Sequence, residues 1–252
     1  MTFADIHCHA LCHVDDGAKD MEMTGAMIDA AYQDGVRYLC LTPHYHPGYY
    51  GYNEERASQS FVEARKYAAK YPDLQLTLAN ELHYAPESLS WIRQRLCRVM
   101  GDSRYVLVDF RKGEAEGVIV DGLTRILGGG YHPILAHAER YEGLRLTTLK
   151  LLKQDGILVQ VNTGAVLGDF GWSVGRRAKR MLSQRMVDFM STDAHDLVKR
   201  PPNFSKAYEY IEKKCGAEYA RSICRDRAVD LFFGHTPEYP NASCEVNQKN
   251  EV

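Results

Sequence analysis

The sequence predicts an α/β fold whose parallel strands roll into a small, irregular, TIM-like barrel of seven strands. Three observations carry that expectation. Short β-branched or aromatic runs alternate with stretches whose apolar residues recur every three to four positions. Glycines mark the ends of several helical stretches. Every strand candidate ends in a polar side chain, and six of the seven end in a potential metal ligand.

The strand candidates, in order, are FADI, VRYLCLT, LQLTLAN, YVLVDF, PILAH, ILVQVN and MVDFMS. After the first comes MEMTGAMIDAAYQDG, and after the second EERASQSFVEARKYAAKY, where Phe61, Ala64, Ala68 and Tyr71 fall on one helical face. Gly35, Gly130 and Gly156 stand where a helix gives way to the next strand. Six strands are followed by a clear crossover helix, and strand–helix–strand alternation implies parallel pairing with right-handed crossovers. An open sheet would spread its strand ends at about 4.8 Å per strand. A closed ring gathers them at one mouth, where barrel enzymes place their chemistry.

Those ends define the candidate site. The first strand leads into His7 and His9 in DIHCH. The next four lead to His44, Glu81, Asp109 and His137. The sixth ends at Asn162, and the seventh at Asp193 and His195 in STDAH. Residues i and i+2 of a strand share a face, so each HxH or DxH pair aims at one point. With Asp16 of VDDG the set reaches nine residues, enough for two or three ions with Glu81 and Asp109 as candidate bridges. Imidazole and carboxylate without thiolate suit Mn²⁺, Fe²⁺ or Zn²⁺, and the carboxylate share favours Mn²⁺. His13, His46, His83, His132 and His235 are read as structural or solvated.

Bulk properties exclude other classes. The 252 residues carry 31 Lys plus Arg against 33 Asp plus Glu, a formal charge of −2. That balance gives no reason to expect nucleic acid or an anionic membrane as partner. Arg176–Arg177 reads as a solvated helix face. No apolar run approaches a membrane span, and no signal-peptide layout opens the chain. The seven cysteines are scattered without a CxxC pair, which predicts reduced thiols, a cytoplasmic location and no zinc knuckle. The sequon Asn241-Ala242-Ser243 is read as chance. Residues 1–234 form the expected single domain, and 235–252 a flexible polar tail. Oligomeric state is left open.

Taken together, DIHCH, VDDGAKD, TPHYH, the Glu81 strand end, GDSRY, AHAERY, VQVN and TDAH followed by RPP resemble one branch of a known group. It is the polymerase and histidinol phosphatase (PHP) superfamily, and within it the metal-dependent protein-tyrosine phosphatases of bacterial capsule and exopolysaccharide operons. The resemblance runs from Asp5 to about Gly234. It implies a distorted seven-stranded barrel with up to three metals. His7, His9, Glu81 and Asp193 would surround one. Glu81, Asp109 and His137 would surround a second, and Asp16, His44 and His195 a third. Asp15 competes with Asp16. Arg140 and Arg200 match two phosphate-binding arginines. The partner implied is a phosphotyrosine protein, a bacterial tyrosine kinase with a tyrosine-rich C-terminal tail. Members of this branch tend to carry Glu where this chain has Asp109, whose shorter side chain predicts a looser or water-bridged second metal.

Planar guanidinium groups suit bidentate phosphate contact. HYHPGYYGYNEE places Tyr45, Tyr49, Tyr50 and Tyr52 with Gly48 and Gly51 as a candidate aromatic lip. Three alternatives compete. Cys215 and Arg221 in CGAEYAR have the spacing of a cysteine phosphatase, but the stretch reads as a helix junction. A small phosphoester such as histidinol phosphate or a nucleotide is the second, and a non-catalytic metal-bound scaffold the third.

Overall fold

The computed structural model describes residues 1–48, 52–101 and 103–233. Tyr49, Tyr50 and Gly51 of the expected lip, His235 and the 235–252 tail lie outside the described residues. The seven expected strands occur as nine segments: β1 (Phe3–Cys8), β2 (Val36–Leu41), β3 (His44–Tyr45), β4 (Gln75–Leu78), β5 (Glu81–His83), β6 (Tyr105–Asp109), β7 (His132–Leu135), β8 (Leu158–Asn162) and β9 (Phe189–Ser191). Their pairs are all parallel, in the orders β1-β2-β4 and β3-β5-β6-β7-β8-β9.

Two expected strands are each broken once. β2 and β3 are halves of the second, interrupted at Thr42-Pro43, where proline has no N–H for a ladder. β4 and β5 are halves of the third, interrupted at Ala79-Asn80. The side chain of Asn80 patches both breaks. Its Nδ2 donates to Pro43 O (3.0 Å), and its Oδ1 accepts from Arg98 N (2.8 Å). Ala79 N to Leu41 O and Glu81 N to Pro43 O carry the ladder across. At the far edge, Cys8 bridges Ala194, with His9 N donating to Ala194 O and Asp193 N to His7 O, both at 2.8 Å. The architecture is therefore a mixed α/β fold around a curled parallel sheet.

A small buried cluster joins Ile6, Cys40, Leu107, Ile134, Leu158 and Phe189 from six strands with Ala228 and Leu231 of helix Arg227–Phe232. A larger cluster packs the strands against the helices. Helix Met21–Gln33 is capped by Asp20, whose side chain accepts from Met23 N. In helix Glu54–Ala68 the buried face is Ala57, Ser60, Ala64 and Ala68; Phe61 is only partly buried, and Tyr71 lies beyond the helix end. Gly35, Gly130 and Gly156 take φ of 101°, 87° and 98°, the left-handed backbone that a helix stop requires. Cys8, Cys12, Cys40, Cys97 and Cys224 are buried free thiols. No described helix is long and apolar enough to cross a membrane.

Candidate metal centre

The strand ends converge. Glu81, at the start of β5, is wholly buried. Its Oε2 lies 3.3 Å from His7 Nε2, 3.3 Å from His9 Nε2 and 2.8 Å from His44 Nδ1, while Oε1 lies 2.8 Å from His137 Nε2. Three imidazole nitrogens thus crowd one carboxylate oxygen that accepts an aligned hydrogen bond from none of them. His195 Nε2 is likewise buried without a hydrogen-bond partner. Asp193 Oδ1 sits 3.3 Å from His7 Nε2 and 3.5 Å from His9 Nε2.

Among the described residues, three overlapping groups have ligand atoms within 4.8 Å of one another: His7, His9 and Glu81; Glu81, Asp109 and His137; and His9, Asp16, His44 and His195. Glu81 belongs to two groups, as expected of a bridge, whereas Asp109 belongs to one. His9 also spans two groups, which the resemblance did not imply. The adjacent aspartates separate. Asp16 Oδ1 faces His44 Nε2 and His195 Nε2, each at 3.5 Å. Asp15 instead accepts from His9 Nδ1 at 2.7 Å, on the ring edge away from Glu81. It also accepts from His44 N and Gly17 N, each at 3.0 Å. This loop folds tightly onto His9: a Cβ at Gly17 would stand 1.9 Å from His9 O.

His137 and Asp193 adopt left-handed backbone, at φ 31° and 53°. Non-glycine residues pay for that conformation, and such outliers gather at functional sites. Gln160 in β8 orients two groups, with Oε1 accepting from His137 N at 2.7 Å and facing His7 Nδ1 at 3.2 Å. Asn162 Nδ2 donates to Asp193 Oδ2 at 2.7 Å. Arg140 and Arg200 both reach the site. Their Nη2 atoms lie 2.9 Å and 2.5 Å from Asp193 Oδ2. Arg200 Nε is a buried donor with no acceptor.

The charges are set for a cation. Burial would raise the carboxyl of Glu81, but His7 and His44 hold it well below its ordinary range. Burial opposes Asp193 too, yet His7 and the two arginines keep it ionised. Asp16 is lowered against burial by His195 and His44. His137 is pushed down to about 4 by burial and Arg140, and His195 is lowered by burial and His9. Both are then neutral, the ligating form. Despite burial, Asp15 raises His9 to about 9, and Glu81 with Asp16 raises His44 to about 12. These imidazoles hold protons that a bound ion would displace.

The chain matches a family model for capsular polysaccharide synthesis, CpsB/CapC, over residues 3–232. It belongs to the CpsB/CapC family. It is 31% identical over 237 residues to the tyrosine-protein phosphatase CpsB of Streptococcus pneumoniae, covering 91% of this chain and 98% of that one. It is 28% identical over 218 residues to the tyrosine-protein phosphatase YwqE of Bacillus subtilis, covering 85% of each. Crystal structures of YwqE and CpsB, described as unique metal-dependent tyrosine phosphatases, superpose with a TM-score of 0.83 at 27% identity, over 92% of this chain and 95% of that one. A D-hydantoinase from Thermus sp. matches at TM-score 0.55 and 12% identity, over 91% of this chain and 70% of that one, a likeness of fold alone.

Two residues of this CpsB/CapC member escaped the sequence reading. His83, read as structural or solvated, places Nδ1 3.0 and 3.1 Å from the two oxygens of Asp109, with His46 stacked on its ring at 4.2 Å. Its i+2 spacing from Glu81 was the available signal. Gln160 was the other: a polar residue inside ILVQVN, two before Asn162. The cysteine alternative loses its geometry. Cys215 ends helix Phe204–Cys215, Arg221 ends helix Ala217–Arg221, and Arg221 pairs with Asp226 at 3.0 Å.

Proposed function

We propose that this chain is a metal-dependent protein-tyrosine phosphatase acting in the cytoplasm on a tyrosine kinase of a capsule or exopolysaccharide operon. The names of its relatives and the convergence of all nine strand-end and loop residues support this reading. Residues 1–234 make one barrel domain, with 235–252 as its tail. The parallel ladder and the Cys8–Ala194 bridge favour a distorted seven-stranded ring. His7, His9, Glu81 and Asp193 would hold one ion, Glu81, Asp109 and His137 a second, and Asp16, His44 and His195 a third, with Mn²⁺ favoured by the carboxylates. The buried Glu81 Oε2 and His195 Nε2, each without a hydrogen-bond partner, fit the donor set of a cation site.

Bound divalent ions supply charge against the phosphate dianion and lower the pKa of water. The chain's own residues do the rest. Asp193 tethers Arg140 and Arg200 through one Nη2 each, leaving other guanidinium N–H groups to take phosphate oxygens. The buried, partnerless Arg200 Nε is the observation that carries this role. Asn162 and both arginines fix Asp193, so its free oxygen Oδ1 stays turned toward His7 and His9. The phenol leaving group has a pKa near 10, so its departure needs only modest proton assistance.

The test is turnover by chelator-stripped protein. A phosphotyrosyl peptide should be hydrolysed only after Mn²⁺ is restored, and faster than histidinol phosphate. Preference for histidinol phosphate would move the assignment to small phosphoesters, and absence of hydrolysis with every metal tried would favour a scaffold. Cys215→Ser should retain full activity; its loss would reinstate a cysteine mechanism.

A further inference from the structure

The turn between His195 and Arg200 is held rigidly. Asp196 Oδ1 accepts from the backbone N–H of Val198 (2.6 Å), Lys199 (2.5 Å) and Arg200 (3.3 Å). His195 N and Asp196 N both donate to Arg200 O, at 3.0 and 3.4 Å. A turn closed from both sides loses little conformational freedom when a partner docks on it. Yet its tip holds Val198 at 87% exposure and Leu197 at 39%. Single exposed apolar residues are ordinary on protein surfaces. Two on a rigid mount, separated by one residue from an arginine of the site, are a different matter.

A second tip stands at the start of helix Trp172–Ser183. Phe170 lies against Arg140, with guanidinium carbon and ring centroid 4.9 Å apart. Two residues on, Trp172 is 77% exposed, and the Arg176 guanidinium sits 5.0 Å from its ring. The loops are tied together: Asn203 Nδ2 donates to Asp169 Oδ2 at 3.1 Å, and Asn203 Oδ1 accepts from Thr163 Oγ1 at 2.6 Å. Lys199 and Arg176, both exposed, make the rim cationic.

We propose that Leu197, Val198 and Trp172 form the docking surface for the polypeptide flanking the substrate phosphotyrosine. The occupant is an acidic segment with an apolar side chain beside the phosphorylated residue. Its acidic groups meet Lys199 and Arg176, its apolar side chain meets the two tips, and its phosphate reaches Arg140 and Arg200. Val198 stands two residues before Arg200, and Trp172 two after Phe170, which packs on Arg140, so the occupant is a phosphopeptide rather than an unmodified protein. A small phosphoester filling the arginine pair needs neither tip. This inference rests on the phosphatase reading above.

The experiment compares three substrates on the full, Mn²⁺-loaded chain: p-nitrophenyl phosphate, a phosphotyrosyl peptide with Leu and Glu flanks, and one with Ser and Gly flanks. The wild type should prefer the Leu/Glu peptide by about tenfold in kcat/KM. Leu197→Ser with Val198→Ser, and separately Trp172→Ala, should abolish that preference through KM. The kcat and the aryl ester turnover should stay unchanged. Normal ester turnover with no peptide preference, or a preference that survives both variants, overturns the docking surface alone. Absence of all ester turnover in the wild type overturns the phosphatase reading, and this proposal with it.

Discussion

Replacing Asp15 by asparagine removes no proposed ligand, yet it should weaken ion binding. The carboxylate accepts three hydrogen bonds: Oδ2 from His9 Nδ1 at 2.7 Å and His44 N at 3.0 Å, and Oδ1 from Gly17 N at 3.0 Å. An amide has only one acceptor atom. If its oxygen faces His9, its NH₂ confronts the Gly17 N–H; if flipped, it confronts both other donors. At least one N–H therefore loses its acceptor in either pose, two in the flipped one, at a cost of about 1–3 kcal/mol each. The charge on His9 changes as well. A ring nitrogen backed by a carboxylate is a stronger ligand at its other nitrogen, and removing such support typically costs about 10–100-fold in metal affinity. Titration calorimetry with Mn²⁺ on stripped protein reads the affinity, and a urea melt reads the stability. Asp16→Asn should instead lose the ion of the His44–His195 group altogether. The reasoning fails if Asp15→Asn binds Mn²⁺ as tightly as the wild type. It fails equally if Asp15→Asn loses an ion while Asp16→Asn keeps all of them, since the two aspartates would then have exchanged roles.

Other outcomes follow from the same geometry. Arg200→Lys should lower kcat/KM for an aryl phosphate by about 10²-fold at unchanged ion content; a change under about threefold would leave the buried Nε without function. His83→Ala should weaken one ion by about 10–100-fold, because His83 holds both oxygens of Asp109; equal affinity for every ion would return His83 to a packing role. The stripped protein should lose stability between pH 7 and 9. Burial lowers His9, but Asp15 lifts it to about 9 against an unfolded value of 6.5. Over that window the folded chain keeps a proton that the unfolded chain has shed, so stability falls by about 1.4 kcal/mol per pH unit. His44, raised to about 12, adds the same sign. Urea melts at three pH values, with and without saturating Mn²⁺, read this directly. A flat or rising curve for the stripped protein would contradict it, and ions, by replacing those protons, should remove the slope.

The fold was largely legible because periodicity survives in single elements. Alternating apolar runs marked every strand, and Gly35, Gly130 and Gly156 marked real helix stops. The breaks after β2 and β4 were less visible. Pro43 signals one, but the amide of Asn80 that patches both acts across the sheet, and no local pattern records it. The candidate site was legible for a similar reason: strand ends of a curled sheet must meet, so residue type at each end sufficed. Asp15 and Asp16 could not be told apart, because neighbours in a loop have no period to assign them faces. His83 was discounted although its spacing from Glu81 repeats that of His7 and His9. The turn at Asp196 left only an unremarked Leu-Val pair, since its rigidity comes from one carboxylate collecting three N–H groups.

The central claim is that Glu81 and the imidazoles around it gather divalent cations. Anomalous scattering from crystals of protein purified with Mn²⁺ present tests it most directly, because it yields ion identity, number and place at once. The account predicts two or three peaks, at least two of them touching a Glu81 oxygen and one lying between Asp16, His44 and His195. A difference map with no peak near Glu81, from protein that hydrolyses the phosphopeptide, would contradict it.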